Sequence, residues 1–190
     1  MAERPILFSA PMIRALMAGT KTQTRRVVKD TGLYAIDAAI HGPETAAREL
    51  LALASRCPYG LPGHKLWVRE AFSGARAYEM HGYPLKEWGN KIWFWADGNP
   101  QRGDWTKPRP SIHMPRHLSR ITLEVTEVRV ERLHDISRGD AMAEGCAFAN
   151  MAAGPDPRDW YRDLWASING PSSWESNPWV WCVAFRVVRP

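Results

Sequence analysis

Residues 120 to 133 read RITLEVTEVRVERL, and this stretch restricts the possible folds more than any other. Ile121, Leu123 and Val125 alternate with polar residues. That puts them on one face of an extended strand, because successive side chains of a strand point to opposite sides. Val128 and Val130 resume the alternation in the other phase. One strand can carry both runs to the same core only if a residue is inserted between them, so a bulge is expected near Thr126. Such a strand needs partners. PWVWCVAFRVV near the end is strongly β-forming, ILFS near the start is a shorter candidate, and two more lie at 65 to 70, behind the YGLPGH turn, and at 91 to 96.

The helical signals are short and well punctuated. Ser9 can cap a helix with Pro11 in its first turn and Gly19 beyond its end, and Met12, Ile13, Leu16 and Met17 recur along it at helical spacing. Residues 43 to 54 form a second amphipathic pattern through Ala46, Ala47, Leu50, Leu51 and Ala54. ISRGDAMAEG has Ser137 and Asp140 in capping-box spacing and stops at Gly145. DPRDWYRDLWASING starts on Asp156 and Pro157 and ends on Asn169 and Gly170. Strands outnumber helices too far for regular βαβ alternation, so the expected fold is α+β and mainly β, a small barrel with short flanking helices.

Between the first helix and a strand expected from Val27 and Val28, the chain reads GTKTQTRR, with no apolar side chain, and a break is expected at Thr31 and Gly32. A second polar region, 97 to 118, holds so many glycines and prolines that a long ordered loop is expected. From Pro100 to Arg120 it carries Arg102, Lys107, Arg109, Arg116 and Arg120 against Asp104, interleaved with Trp105, His113 and His117. It reads either as a track for a phosphate backbone or as a basic lid on the sheet. His113 and His117 have metal-ligand spacing, but Pro115 between them disfavours the helix that would align them.

The net charge of +5 and pI near 9.3 favour anionic partners. Three cysteines, Cys57, Cys146 and Cys182, lack paired spacing, which argues against a disulfide framework or zinc ribbon and fits a reducing cytoplasm. The longest apolar run, WVWCVAF, is too short to span a bilayer, so no membrane partner is expected.

AGTKTQTRR after a helix, PGHKLWV, RITLEVTEVRVE, ISRGDAMAEG and WVWCVAF together resemble the ASCH domains of the PUA-like superfamily. LWASING and NPWVW are similar to segments of its longer, prophage-type members. One piece departs: Gly63 is followed by His64, where family members often carry Asp. The resemblance implies a single PUA-like domain over residues 1 to 190, with insertions at about 30 to 59 and 71 to 118. It also implies a metal-independent amidohydrolase without a cofactor, removing acyl groups from N(4)-acylcytidine or related cytosine nucleosides. Lys21, Thr24 and Glu144 match the catalytic residues of small bacterial N(4)-acetylcytidine amidohydrolases, with Thr22, Arg25 and Arg26 as substrate-binding neighbours. The partner is then a small modified nucleoside. The alternative is an RNA-binding module or ribonuclease using the same pocket and the basic loop.

Amide hydrolysis needs a nucleophile, a base and an oxyanion donor. One allocation makes Thr24 the nucleophile, Lys21 its base, and Glu144 the group that positions Lys21 or protonates the departing amine. The other keeps Lys21 charged as oxyanion donor and has Glu144 activate water or Thr24. A neutral lysine at pH 7 must fall from about 10.4, a cost of roughly 4 kcal/mol, which burial and a neighbouring Arg25 or Arg26 would help to supply. Lys21 and Thr24 are three positions apart, a spacing that a turn or tight loop brings to one side and an extended strand puts on opposite faces, so these roles call for a turn.

Overall fold

The computed structural model describes residues 3–29, 38–75, 91–146 and 154–188. The break expected at Thr31 and Gly32 lies outside them. The chain is α+β and mainly sheet. In order it forms β1 (Glu3–Leu7), α1 (Ala10–Met17), β2 (Gln23–Val27), α2 (Ala38–His41), α3 (Pro43–Ala54) and β3 (Lys65–Arg69). These are followed by β4 (Phe72–Gly74), β5 (Ile92–Phe94), β6 (Thr122–Arg132), α4 (Arg138–Ala143), α5 (Pro157–Asn169) and β7 (Trp179–Val188).

Five strands make one sheet in the order β1-β3-β6-β7-β2, and β4 and β5 make a separate antiparallel pair. β1 runs parallel to β3, and every other pairing in the large sheet is antiparallel. The long β6 is the hub, pairing with β7 along nearly its whole length. The ladder shifts register between Val125 and Glu127, at the expected bulge. The extra residue keeps Leu123, Val125 and Val130 all buried although their spacing breaks phase.

Ile6, Ile13, Leu16, Leu66, Val68, Leu123, Val125, Val183 and Phe185 pack into one core under α1. A second cluster joins Leu133, Ile136 and Ala141 to Tyr161 and Trp165 of α5 and to Val180 and Cys182 of β7. Burial of each large aliphatic side chain contributes roughly 1.5–3 kcal/mol. The helix ends follow their local signals. Ser137 and Asp140 form a reciprocal capping box on α4, and the Asp156 side chain accepts from the Arg158 N–H at the start of α5.

Two expectations are corrected. The GTKTQTRR segment is not all loop, because β2 begins at Gln23 and pairs with Ala184 through Val180 of β7. A strand without an apolar core face was invisible to a hydrophobic pattern. Nor is there a turn from Lys21 to Thr24: Lys21 forms a bridge to Glu144, and the chain passes through Thr22 straight into the strand. The 97 to 118 segment is ordered as expected, with single 3-10 turns at Ser111–His113 and Arg116–Leu118. It packs on the small sheet through Phe72–Arg109 and Ala75–Trp105 bridges. His113 and His117 fall in separate turns.

Candidate functional site

β2 and β1 are the two outer strands of the large sheet, and a cavity of about 570 Å³ opens between β2, the end of β1 and α5. Its polar lining is made by Lys21, Thr24, Arg25, Arg26 and Glu144, and its apolar lining by Phe8, Met12, Tyr59, Tyr161, Leu164 and Trp165. A concave, largely apolar hollow with a few convergent polar groups is the usual form of a small-molecule site.

Lys21 and Glu144 are 123 positions apart, and the fold brings them together by backbone as well as side chain. Lys21 is bridged to Glu144, and the Thr22 N–H donates to Ala143 O at 2.9 Å. Glu144 is the C-cap of α4, and Gly145 follows at φ +102°. A Cβ on Gly145 would lie 3.0 Å from Ala15 Cβ and 3.4 Å from Lys21 Cβ. Only glycine allows α4 to end this close to α1 and Lys21.

Both side chains are almost wholly removed from water, at 2 % exposure for Lys21 and 3 % for Glu144. Lys21 Nζ donates to Glu144 Oε2 at 2.8 Å and to the Glu144 carbonyl at 2.9 Å. Burial pushes the Lys21 ammonium below its ordinary value. Glu144 opposes that shift, and the charges of Arg26 and Arg25 add to it.

Thr24 is also buried, and its Oγ1 accepts from Arg26 Nη1 at 2.9 Å. The same guanidinium donates to Arg25 O and, through Nη2, to Leu7 O at 2.8 Å, and it lies 5.3 Å from the centre of the Phe8 ring. Arg26 therefore fastens β2 to the end of β1 while polarising the Thr24 hydroxyl. Lys21 Nζ sits over the same Phe8 ring at 5.6 Å.

Arg25 has its whole side chain buried. Nη1 reaches Glu144 Oε1 at 3.3 Å, and Nη2 reaches Glu131 Oε1 at 2.6 Å and Asp140 Oδ2 at 3.3 Å. Arg129 completes this cluster by binding Glu131 at 2.9 Å and Asp140 at 2.6 Å. Burial raises the Asp140 carboxyl, but the Ser137 hydroxyl and the Arg129 and Arg25 cations outweigh it and hold the group at about 2. Burial likewise raises Glu131, and bonds from Arg25 and Arg129 leave it below the usual carboxylate range.

Of the residues singled out in the sequence, Lys21, Thr24, Arg25, Arg26 and Glu144 line one cavity, whereas Thr22 is exposed and does not. Thr22 contributes its backbone, donating to Ala143 O and accepting from the Phe185 N–H. Sequence reasoning missed the apolar lining contributed by α5. Tyr161, Leu164, Trp165 and Ile168 stand at i, i+3, i+4 and i+7 on α5, a spacing readable as a buried stripe but not as a cavity wall. Among the basic-loop cations, Arg116 binds Glu3, and Arg120 binds Glu70 and Asp97, while Arg102, Lys107 and Arg109 are exposed.

No family model and no curated protein matches the sequence. Two solved structures resemble the whole chain in shape. One is protein EF3133 from Enterococcus faecalis V583, assigned to family DUF984, at TM-score 0.45 and 10% identity over 82% of that chain. The other is an ASCH domain from Lactobacillus crispatus JV V101, at TM-score 0.45 and 13% identity over 81% of that chain. Among the described residues, no helix is long and apolar enough to cross a membrane.

Proposed function

We propose that this protein is an amidohydrolase that removes acyl groups from the exocyclic nitrogen of N(4)-acylcytosine nucleosides. The observation that carries this reading is the convergence of Lys21, Thr24 and Glu144 on one cavity, each of the three side chains buried and the lysine paired to the glutamate. The ASCH-like motifs that hold these residues support it, as does a cavity large enough for a nucleoside-sized ligand.

In this reading Thr24 Oγ1 attacks the acyl carbonyl carbon, and its proton passes to Lys21 Nζ. The lowered affinity of Lys21 for its proton suits it to that role. The Arg26 guanidinium on Thr24 Oγ1 stabilises the developing alkoxide. The C–N bond breaks as the cytosine nitrogen takes a proton from the Lys21–Glu144 pair, and water then cleaves the Thr24 ester to regenerate the hydroxyl. In that second half Lys21 takes one proton from the attacking water and delivers it to Thr24 Oγ1 as the ester bond breaks, so that the carboxylic acid leaves and both residues are restored, with Glu144 positioning Lys21 throughout. Tyr161 and Trp165 line the same cavity and offer aromatic surface to a flat base.

The test is incubation of the purified protein with N(4)-acetylcytidine and bulkier acylcytidines, with a chelator present, followed by mass analysis. Cytidine release is expected, falling at least about 100-fold in Lys21→Ala, Thr24→Ala and Glu144→Gln. Full activity in Lys21→Ala overturns both allocations of roles. Retention of RNA with a steep salt dependence, and no acylcytidine turnover, would replace the hydrolase with a binding module.

A further inference from the structure

We propose that Arg25 is a positioning residue of this site, a buried fork that holds one oxygen of the Glu144 carboxylate so that the other stays on Lys21. This rests on the amidohydrolase reading for its kinetic part and on geometry for the rest. Glu144 sits at the end of a helix of only 6 residues, and its carboxylate is divided between two cations, Oε2 to Lys21 at 2.8 Å and Oε1 to Arg25 at 3.3 Å. A carboxylate bound on one side alone could rotate away. Bound on both, it is fixed.

The strand geometry explains why residue 25 can do this. Within β2, Gln23 and Arg25 share one face and Thr24 and Arg26 the other, and Lys21, just before the strand, is bridged to Glu144. The α4 end meets the first face, so Glu144 lies within reach of Lys21 and Arg25 together. Arg25 is in turn braced from a separate direction. Glu131 of β6 and Asp140 of α4 hold its second nitrogen, and Arg129 of β6 holds both of those carboxylates. Two arginines against two carboxylates make a balanced platform, which leaves the Lys21–Glu144 pair to balance itself.

Arg25 Nε has no hydrogen-bond partner although it is buried, so the guanidinium is oriented by its two terminal nitrogens, one on Glu144 and one on Glu131 and Asp140. Removing one member of such a cluster leaves buried partners uncompensated, so a loss of stability alone does not identify the role and the titration of Lys21 does. Drawing on one Glu144 oxygen weakens that carboxylate's hold on the Lys21 proton, and the Arg25 charge adds direct repulsion. Lys21 is faced by Glu144 from the end of α4, by Arg25 and Arg26 from β2, and by the Phe8 ring. Asp140, Glu131, Arg129, Tyr161 and Cys182 stand behind Arg25.

Two variants move the site in opposite directions. Arg25→Met removes the fork at similar length, and Glu131→Gln removes the carboxylate that competes for it. In substrate-free protein with 15N-labelled lysine, the Lys21 titration should move up in Arg25→Met and down in Glu131→Gln. With acetylcytidine, the acidic limb of the kcat/KM profile should follow by about one pH unit, which is about tenfold in kcat/KM near neutrality, with KM within about twofold of wild type. If Arg25→Met does not fold, Glu131→Gln and Arg25→Lys carry the test. The lysine variant keeps the charge but loses the fork, so it should place the titration above that of wild type, whereas Glu144→Gln places it below.

A titration and limb at their wild-type positions in folded variants, with only stability lowered, would overturn the proposal. The spectroscopic arm needs no turnover. Silence towards acylcytidines alongside a displaced Lys21 titration would therefore sink the hydrolase reading and leave the positioning of Glu144 standing.

Discussion

His64 occupies the turn before β3, and its Nδ1 accepts the Leu61 N–H at 3.3 Å. An aspartate at this place would offer a carboxylate oxygen to the same donor, so histidine here supplies an acceptor of different chemistry. Gly60, at φ +103°, gives the ring its room, since a Cβ there would sit 2.9 Å from His64 Cβ. His64→Ala leaves the Leu61 N–H without its partner and should cost about 1 kcal/mol, a fall in Tm of about 2–4 °C. His64→Asp should recover most of that fall in the same thermal melt.

At the scale of elements, the site depends on how α4 ends. Gly145→Ala forces a left-handed residue to carry a Cβ against Ala15 and Lys21. It should cost about 1–3 kcal/mol in chemical denaturation. It should also lower acylcytidine turnover more than that loss accounts for, because relief of the contact displaces Lys21. The ends of α4 and α5 were legible because their signals are local: Ser137 and Asp140, then Asp156, Pro157 and Gly170, lie within a turn of the boundaries they set. The bulge in β6 was legible because phase is local too. β2 was not. Its charged side chains are buried by partners such as Glu131 and Glu144, more than 100 positions away, and no window of sequence contains both halves. The same limit hid the aromatic wall on α5, whose stripe announces burial without saying what it faces. Lys21 and Glu144 were named through motif resemblance, and their contact was beyond the reach of periodicity.

For the whole molecule, the ion cluster makes acid tolerance predictable. Asp140 is held at about 2 against an ordinary 3.8, and Glu131 lies below its ordinary 4.5. A carboxyl whose folded value is depressed stabilises the fold fully above its unfolded value, and that contribution is lost as pH falls through the folded one. Tm should hold down to about pH 4.5 and decline towards pH 2. Arg129→Met, which takes a cation from both carboxylates, should begin the decline at higher pH in a Tm series. A different dependence follows from the way Arg26 reaches from β2 to the Leu7 carbonyl. The outermost strands are joined there by a side chain where the rest of the sheet has a backbone ladder, so the hollow is walled by a clasp. A guest that touches both rims would act as a second clasp, and the protein should melt later in its presence whether or not it is ever turned over.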